Sequence, residues 1–217
     1  MVEIQAESTP PRSALYVDGF NLYHSVIDLN DNFLKWCNLW KLAEIFSKAH
    51  KATVKKVVFC TAVPDAASDS RDRHLTYNAA LVASGVQVLK RHHIITPEGK
   101  RLEKQSDINL ALALIMDGED NVYDIAYLLS GDSDQAATGR VFKERFHPAK
   151  ILIGVGTPSR PVAEKLTAYT HSNFEMTRDH LDMAVLPALV PGLSGNFIRR
   201  PDAYEPAAWW VHPDDRP

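Results

Sequence analysis

Short apolar runs alternate with longer amphipathic segments over residues 13–184 of the chain. The short runs are rich in branched residues and end at glycine, proline or polar positions, which is typical of buried parallel strands. The longer segments repeat apolar residues three and four positions apart, as helices do. The pattern predicts strands at 14–17, 54–63, 86–90, 123–130 and 149–155, and a further short run near 173–176. It predicts helices at about 20–29, 38–49, 68–83, 107–116, 134–145 and 160–168.

This alternation predicts an α/β domain with a parallel sheet that is covered by helices on both faces, a three-layer α/β/α arrangement. We predict this domain over residues 13–184, after a disordered leader of residues 1–12. Residues 185–217 contain six prolines and the adjacent Trp209 and Trp210. They are interpreted as a tail that wraps the domain or binds a partner, and that could support a homodimer.

Composition limits the kinds of partner that the chain can bind. The net charge is −3 and the pI is about 6.3, so binding of a polyanion would require a local basic patch. The two cysteines form no C-x-x-C motif and are predicted to be structural thiols in a reducing compartment. No apolar run approaches the roughly 20 residues that cross a bilayer, so we expect a cytoplasmic protein.

The segment between the third strand and the middle helix is basic. Residues 90–104 contain five lysines and arginines opposed by two glutamates, with a Pro97-Glu98-Gly99 turn signal that predicts a hairpin or a mobile loop. Because the segment leads into the helix that starts at Asp107, we expect it to contact phosphates, with an exposed polar loop as the alternative. The candidate phosphate-binding residues are Arg91, Arg101 and Lys104.

Aspartates follow two of the predicted strands. Asp18 follows the first strand, and Asp132 and Asp134 follow the fourth in the stretch LLSGDSDQ. Ligands of open parallel sheets bind at the carboxyl ends of the strands. These acids would meet there if the first and fourth strands are neighbours, with Asp107 as the natural fourth. Clustered carboxylates repel one another unless a divalent cation is bound, and oxygen ligands suit Mg²⁺ or Mn²⁺. The alternative is that these acids only form turns and helix caps.

Three motifs carry a resemblance to a known family. YVDGFNLYHS (16–25), EKQSDINLALAL (103–114) and LLSGDSDQ (128–135) occur in this order. Together they resemble the NYN domain family, a branch of the PIN-like nucleases that includes the LabA-like proteins. The resemblance implies a Rossmann-like, PIN-type sheet with strand order 3-2-1-4-5, and metal-dependent hydrolysis of RNA phosphodiester bonds.

By motif position, the resemblance also implies roles for single residues. The catalytic and metal-binding residues would be Asp18, Asp107, Asp132 and Asp134, with Mg²⁺ or Mn²⁺ as the ion. Asn21 would support the first acid, and Ser130 and Ser133 would orient the loop or a metal-bound water.

One position departs from the family pattern. Many members carry a further aspartate in the middle helix, where this chain has Ala113 and Leu114; Asn109, beside Asp107, is the candidate to compensate. The departure motivates an alternative function, an RNA-binding or scaffold module with a weakened, non-catalytic metal site. A phosphatase that forms a phospho-aspartate is a further alternative, although its D-x-D motif normally follows the first strand.

Three aromatic and three basic side chains are further candidates to contact RNA. Phe20, Tyr23 and Tyr77 are candidates to stack on bases, with core packing the favoured role for Phe20. Arg71, Arg73 and Lys143 are expected to lie on solvated helix faces.

Overall fold

A computed structural model of the chain describes residues 9–63, 68, 70–90, 94–95, 101–102, 106–157 and 159–216. Within these ranges, the side chains of residues 94, 95, 101, 102, 106 and 107 lie outside the description. Arg91 and Lys104 are outside the described residues, and for Arg101 and Asp107 only the element that contains them is described.

A six-stranded parallel sheet forms the centre of the molecule, with the order β3-β2-β1-β6-β7-β8. Counted within this sheet alone, the order is 3-2-1-4-5-6, which confirms the predicted 3-2-1-4-5 and adds a short strand at one edge. The strands of this sheet are β1 (Arg12–Asp18), β2 (Thr53–Thr61), β3 (Gln87–Lys90), β6 (Ile125–Leu129), β7 (Ile151–Gly156) and β8 (Ser172–Glu175).

Two small hairpins lie outside the central sheet. The strands β4 (Ile94–Ile95) and β5 (Arg101–Leu102) pair antiparallel, which is the hairpin that the Pro97-Glu98-Gly99 turn signal predicts. In the C-terminal segment, β9 (Leu189–Pro191) and β10 (Phe197–Arg199) also pair antiparallel.

Helices follow the strands at almost every predicted position. They are α1 (Gly19–Asp28), α2 (Leu39–Ser47), α3 (Arg71–Ala83), α4 (Ser106–Glu119), α5 (Ala136–Phe146), α6 (Glu164–Thr167) and α7 (Arg178–Asp182). Shorter 3₁₀ helices occur at Asn32–Trp36, Lys48–His50, Ser133–Gln135, Asp202–Tyr204 and Pro213–Asp215. None of the helices in the described part of the chain is long and apolar enough to span a bilayer.

Alternating residues of β1 face two separate hydrophobic cores. Leu15 and Val17 pack in the core beneath α1 and α2, whereas Ala14 and Tyr16 pack in the core beneath α4 and α5. Each of these side chains is at most 1% exposed, so the strand is buried on both faces. This burial explains why β1 is a continuous apolar run and has no alternating pattern.

The C-terminal end of α4 is tied to the middle of the sheet through Asp117. Its carboxylate accepts hydrogen bonds from the Tyr16 hydroxyl (2.8 Å) and the Lys56 ammonium group (2.6 Å).

After α4 the chain passes to β6, which starts at the amino edge of the sheet. Because α4 runs antiparallel to the strands, its first turn, with Asp107, points toward the carboxyl edge.

Candidate functional site

Asp18 is the last residue of β1 and is only 4% exposed. It also caps α1: its Oδ1 accepts hydrogen bonds from the backbone N–H groups of Phe20 (3.0 Å) and Asn21 (3.2 Å). The amide group of Asn21 donates to Oδ2. A carboxylate at a helix N-terminus is stabilised by the unpaired N–H groups and by the helix dipole, so this strand-to-helix turn holds Asp18 in one orientation.

Gly19 permits the close approach of α1 to β2. A Cβ atom at this position would lie 2.6 Å from the carbonyl oxygen of Cys60 and 2.9 Å from the ring of Phe59. Only a residue without a side chain fits there unless the backbone moves. The glycine of the YVDGFN motif therefore allows α1 to start directly after Asp18.

Ser130 connects the ends of the two neighbouring strands β1 and β6. Val17 lies opposite Leu129 in the sheet register, so the next residues of each strand, Asp18 and Ser130, emerge side by side. The fully buried Ser130 hydroxyl donates to Asp18 Oδ2 (3.1 Å) and accepts from the backbone N–H of Asp132 (3.1 Å). One hydroxyl group therefore joins the two aspartates.

The remaining acids of the loop are more exposed. Asp132 is partly exposed and is the N-cap of the 3₁₀ helix Ser133–Gln135. Its Oδ1 accepts a hydrogen bond from the backbone N–H of Asp134 (2.9 Å). Ser133 and Asp134 are exposed. Asp132 therefore caps a helix, as expected of an acid in a turn. It is also connected to Asp18 through the hydroxyl group of Ser130.

Gly131 brings the loop against α1. A Cβ atom here would lie 3.1 Å from both Asn21 Oδ1 and Arg160 Cβ, so a larger residue would press on the side chain that supports Asp18. The structure therefore brings Asp18, Asn21, Ser130 and Asp132 together at the carboxyl edge. Asp107 belongs to the helix that packs on β1, β2 and the 3₁₀ helix Ser133–Gln135, but its side chain lies outside the description.

The donor atoms of this group suit a hard cation that keeps most of its water ligands. Among the described side chains, however, no three acids, histidines or cysteines lie close enough together to hold a metal ion. Asp18 accepts four hydrogen bonds from the protein, about the full capacity of a carboxylate, so direct binding to an ion requires one donor to turn away. The Ser130 hydroxyl can do so by a rotation about its C–O bond.

A cleft of about 380 Å³ adjoins the buried acid, since Gly19 and Phe20 form part of its wall. Its other walls come from the 3₁₀ helix Asn32–Trp36, the end of β2, the start of α3 and the C-terminal segment. We call it the aromatic cleft and define it by Phe20, Tyr23, Lys35, Arg73, His74 and Tyr204.

The aromatic cleft corrects three sequence interpretations. Phe20 does not pack in the core but is 51% exposed, because it lies on the outer side of the first turn of α1. Arg73 is not on a solvated helix face but is partly buried in the cleft wall. Tyr77 is not available for stacking, since it packs against the core and its hydroxyl donates to the carbonyl oxygen of Cys37 (2.9 Å).

Electrostatics in the cleft are dominated by Lys35 and Arg73. Burial, and then the positive charge of Arg73, lower the pKa of Lys35. Burial also lowers the pKa of His74 below its ordinary value of 6.5, so this imidazole is neutral at pH 7, and its Nε2 is hydrogen-bonded to Thr61 Oγ1 (3.0 Å). No motif in the sequence marks Lys35 or Tyr204, because the cleft is assembled from segments far apart along the chain.

Comparison with known proteins supports the fold. No protein-family model matches the chain. The chain is 23% identical to 6-hydroxy-3-succinoylpyridine 3-monooxygenase HspA of Pseudomonas putida (strain DSM 28022 / S16), over 96% of this chain and 78% of that protein. A crystal structure of a protein of unknown function from Vibrio parahaemolyticus RIMD 2210633 is similar to it, with a TM-score of 0.58 and 17% identity over 81% of this chain and 98% of that chain. Neither comparison tests the resemblance to the NYN domain family, which stays a prediction.

Proposed function

We propose that the protein is a metal-dependent ribonuclease that hydrolyses RNA phosphodiester bonds at the carboxyl edge of its sheet. The observation that supports the proposal is the buried carboxylate of Asp18, which shares the hydroxyl group of Ser130 with the loop of Asp132. No lysine, arginine or histidine among the described residues forms an ion pair with Asp18. A buried carboxylate that pairs with none of the described cations favours the approach of a cation.

Each acid has a proposed role in this activity. Asp18, Asp107 and Asp132 would hold Mg²⁺ or Mn²⁺, and Asp134 would assist as a ligand or by positioning a water molecule. When bound, such an ion supplies charge stabilisation for the phosphate group and lowers the pKa of a coordinated water. Asn21 and the helix N-terminus orient Asp18, and Ser130 keeps the Asp132 loop beside it.

Replacement of Asp18 tests the proposal. The purified protein is incubated with Mn²⁺ and a labelled single-stranded RNA, and cleavage is followed with time. We expect Asp18→Asn to reduce the rate at least about a hundredfold, because the neutral amide cannot replace a charged oxygen ligand. Asp28→Asn, the same substitution at an exposed residue of the same helix, should leave the rate unchanged.

Two results would contradict the nuclease proposal. One is the absence of cleavage by the wild-type protein, and the other is equal cleavage by Asp18→Asn, which would identify a contaminating nuclease. The alternative from the sequence, an RNA-binding or scaffold module with a non-catalytic site, is motivated by Ala113 in place of an acid. Titration with Mn²⁺ in a calorimeter separates the two, since a weakened metal site gives little or no binding heat at Mn²⁺ concentrations that saturate an intact site.

The similarity to HspA motivates a second candidate function, the oxygenation of a hydroxypyridine acid. The similarity extends over 96% of this chain, although at only 23% identity. A monooxygenase consumes dioxygen and a two-electron reductant together with its substrate. Oxygen uptake is therefore measured with 6-hydroxy-3-succinoylpyridine and NADH. Substrate-dependent uptake would support this candidate, and its absence would contradict it.

A further inference from the structure

The aromatic cleft contains two like charges, and no acid is among the side chains described in its lining. Lys35 and Arg73 both line it, and none of the described lining residues is an aspartate or glutamate. Lys35 donates to the neutral side-chain oxygen of Asn32 (2.7 Å), and the repulsion from Arg73 contributes to its lowered pKa. An anion between the two groups would relieve this repulsion, so the charge distribution favours an anionic ligand.

Aromatic rings lie beside these charges. Phe20 and Tyr23 are 51% and 44% exposed and both line the cleft, so a ligand in the cleft can reach their rings. The ammonium group of Lys35 lies 5.5 Å from the centre of the Tyr23 ring. A ligand that carries a flat ring and an anionic group together would therefore contact both kinds of side chain.

The size and the position of the cleft restrict the ligand further. Its volume of about 380 Å³ is at the lower end of the roughly 300–1,000 Å³ that is usual for small-molecule pockets. One unpaired nucleotide fits such a space, whereas a base inside a duplex is stacked and paired and cannot enter. Because Gly19 and Phe20 follow Asp18 directly, an RNA strand that crosses the carboxyl edge passes both the acid and the cleft.

The C-terminal segment completes the cleft. Tyr204 forms one wall and belongs to a 3₁₀ helix that packs against the 3₁₀ helix Asn32–Trp36. The cleft therefore requires residues from both ends of the chain.

We propose that the aromatic cleft binds one unpaired nucleotide of an RNA strand, with its phosphate between Lys35 and Arg73 and its base on the rings of Phe20 and Tyr23. The choice of RNA as the ligand rests on the proposed function. The consequence is a selection of single-stranded over double-stranded RNA that requires no recognition of base sequence.

Binding is measured by fluorescence anisotropy of a short labelled RNA with the full-length protein in EDTA, where metal-dependent cleavage does not occur. We expect the single strand to bind at least about tenfold more tightly than the same RNA annealed to its complement. The double variant Lys35→Gln/Arg73→Gln should weaken single-strand binding at least about tenfold and reduce its dependence on salt. Lys48→Gln, a charge removed from an exposed residue at the amino edge of the sheet, should have no such effect.

Stacking is tested by a matched pair of variants. Tyr23→Ala should weaken binding about tenfold, and Tyr23→Phe, which keeps the ring, should bind like the wild type.

A purely structural role for Lys35 and Arg73 would lower the melting temperature of the double variant. The repulsion between these residues instead predicts an unchanged or higher value, measured by circular dichroism.

The outcomes separate this inference from the nuclease proposal. Single-strand binding that Lys35→Gln/Arg73→Gln weakens, without any cleavage by the wild type, would support the inference and contradict the nuclease proposal. Cleavage that requires Asp18, combined with wild-type binding by Lys35→Gln/Arg73→Gln, would overturn the inference alone. Equal binding of the single strand and the duplex would also overturn it.

Discussion

The Ser130 hydroxyl group performs two functions at the scale of a single residue. It donates to Asp18 Oδ2 and accepts from the backbone N–H of Asp132, and it is inaccessible to solvent. Its removal would leave the partly buried N–H group of Asp132 without this acceptor and the buried carboxylate of Asp18 with one donor fewer. Both losses carry a desolvation cost that water cannot easily offset at a buried position.

Ser130→Ala should therefore lower the free energy of unfolding by about 1–3 kcal/mol, measured by urea denaturation. It should also slow RNA cleavage about tenfold or more, because the N–H group of Asp132 loses the acceptor that keeps this loop beside Asp18. Ser172→Ala, at an exposed position at the start of β8, should change neither quantity appreciably. A Ser130→Ala protein as stable and as active as the wild type would show that the shared hydroxyl has no role.

At the scale of elements, the C-terminal segment is held to the domain by Trp210. Its ring lies 5.1 Å from that of Phe33, and its Nε1 donates to Asp182 Oδ1 (2.6 Å). The guanidinium group of Arg216 covers the ring and pairs with Asp182 (2.6 Å). The neighbouring Trp209, in contrast, is 76% exposed. Of the two tryptophans that the sequence places together, one is a core contact and the other is not.

Trp210→Ala should destabilise the protein by about 2–4 kcal/mol, because it removes a large, partly buried ring and leaves Asp182 without that donor. The matched variant Trp209→Ala should change the free energy of unfolding by less than about 0.5 kcal/mol. Thermal denaturation of the two variants provides the measurement. Equal effects would mean that Trp210 does not hold the segment to the domain. Phe33 belongs to the 3₁₀ helix on which the helix of Tyr204 packs, so Trp210→Ala should also weaken binding in the aromatic cleft.

At the scale of the whole molecule, the two edges of the sheet have different roles. The carboxyl edge carries the buried Asp18 and the aromatic cleft. The amino edge carries ion pairs between strands, such as that of Arg12 at the start of β1 with Asp124 before β6 (2.7 Å). Hydrogen bonds from Arg12 lower the pKa of Asp124 to about 2, below its ordinary value of 3.8, against the opposing effect of burial.

This pair makes the stability of the whole protein depend on pH. Because the folded form holds Asp124 ionised to lower pH than the unfolded form does, the pair stabilises the protein above about pH 4, and this contribution is lost as the pH falls toward 2. Asp124→Asn should lower the melting temperature at pH 7, and the difference from the wild type should shrink between pH 4 and 2. The exposed Asp120→Asn should have a smaller effect throughout. A difference that stays constant with pH would contradict this account.

Local patterns predicted most of the fold. Apolar runs and helical spacing are properties of neighbouring residues, so the strands, the helices and the three-layer arrangement follow from them, and the strand order that the family resemblance implies is confirmed for its five strands. The position of the acids at the ends of strands is local as well, and the strand order that the resemblance implies predicts that Asp18 and the loop of Asp132 are neighbours. Their linkage through Ser130 depends on the register of β1 and β6, which side-chain packing decides.

The sequence by itself determined the elements, their layers and the edge at which the acids gather, because each depends on residues close together along the chain. Only the tertiary structure decided that Phe20 is exposed, that Arg73 is partly buried in a cleft wall, and that Trp210 and not Trp209 packs on the domain. The spacing of apolar residues indicates which face of a helix is buried, but it does not indicate which neighbouring element covers a given side chain. The aromatic cleft brings together Lys35, Arg73 and Tyr204 from three segments that are distant along the chain, and no local sequence pattern predicts that they lie close together.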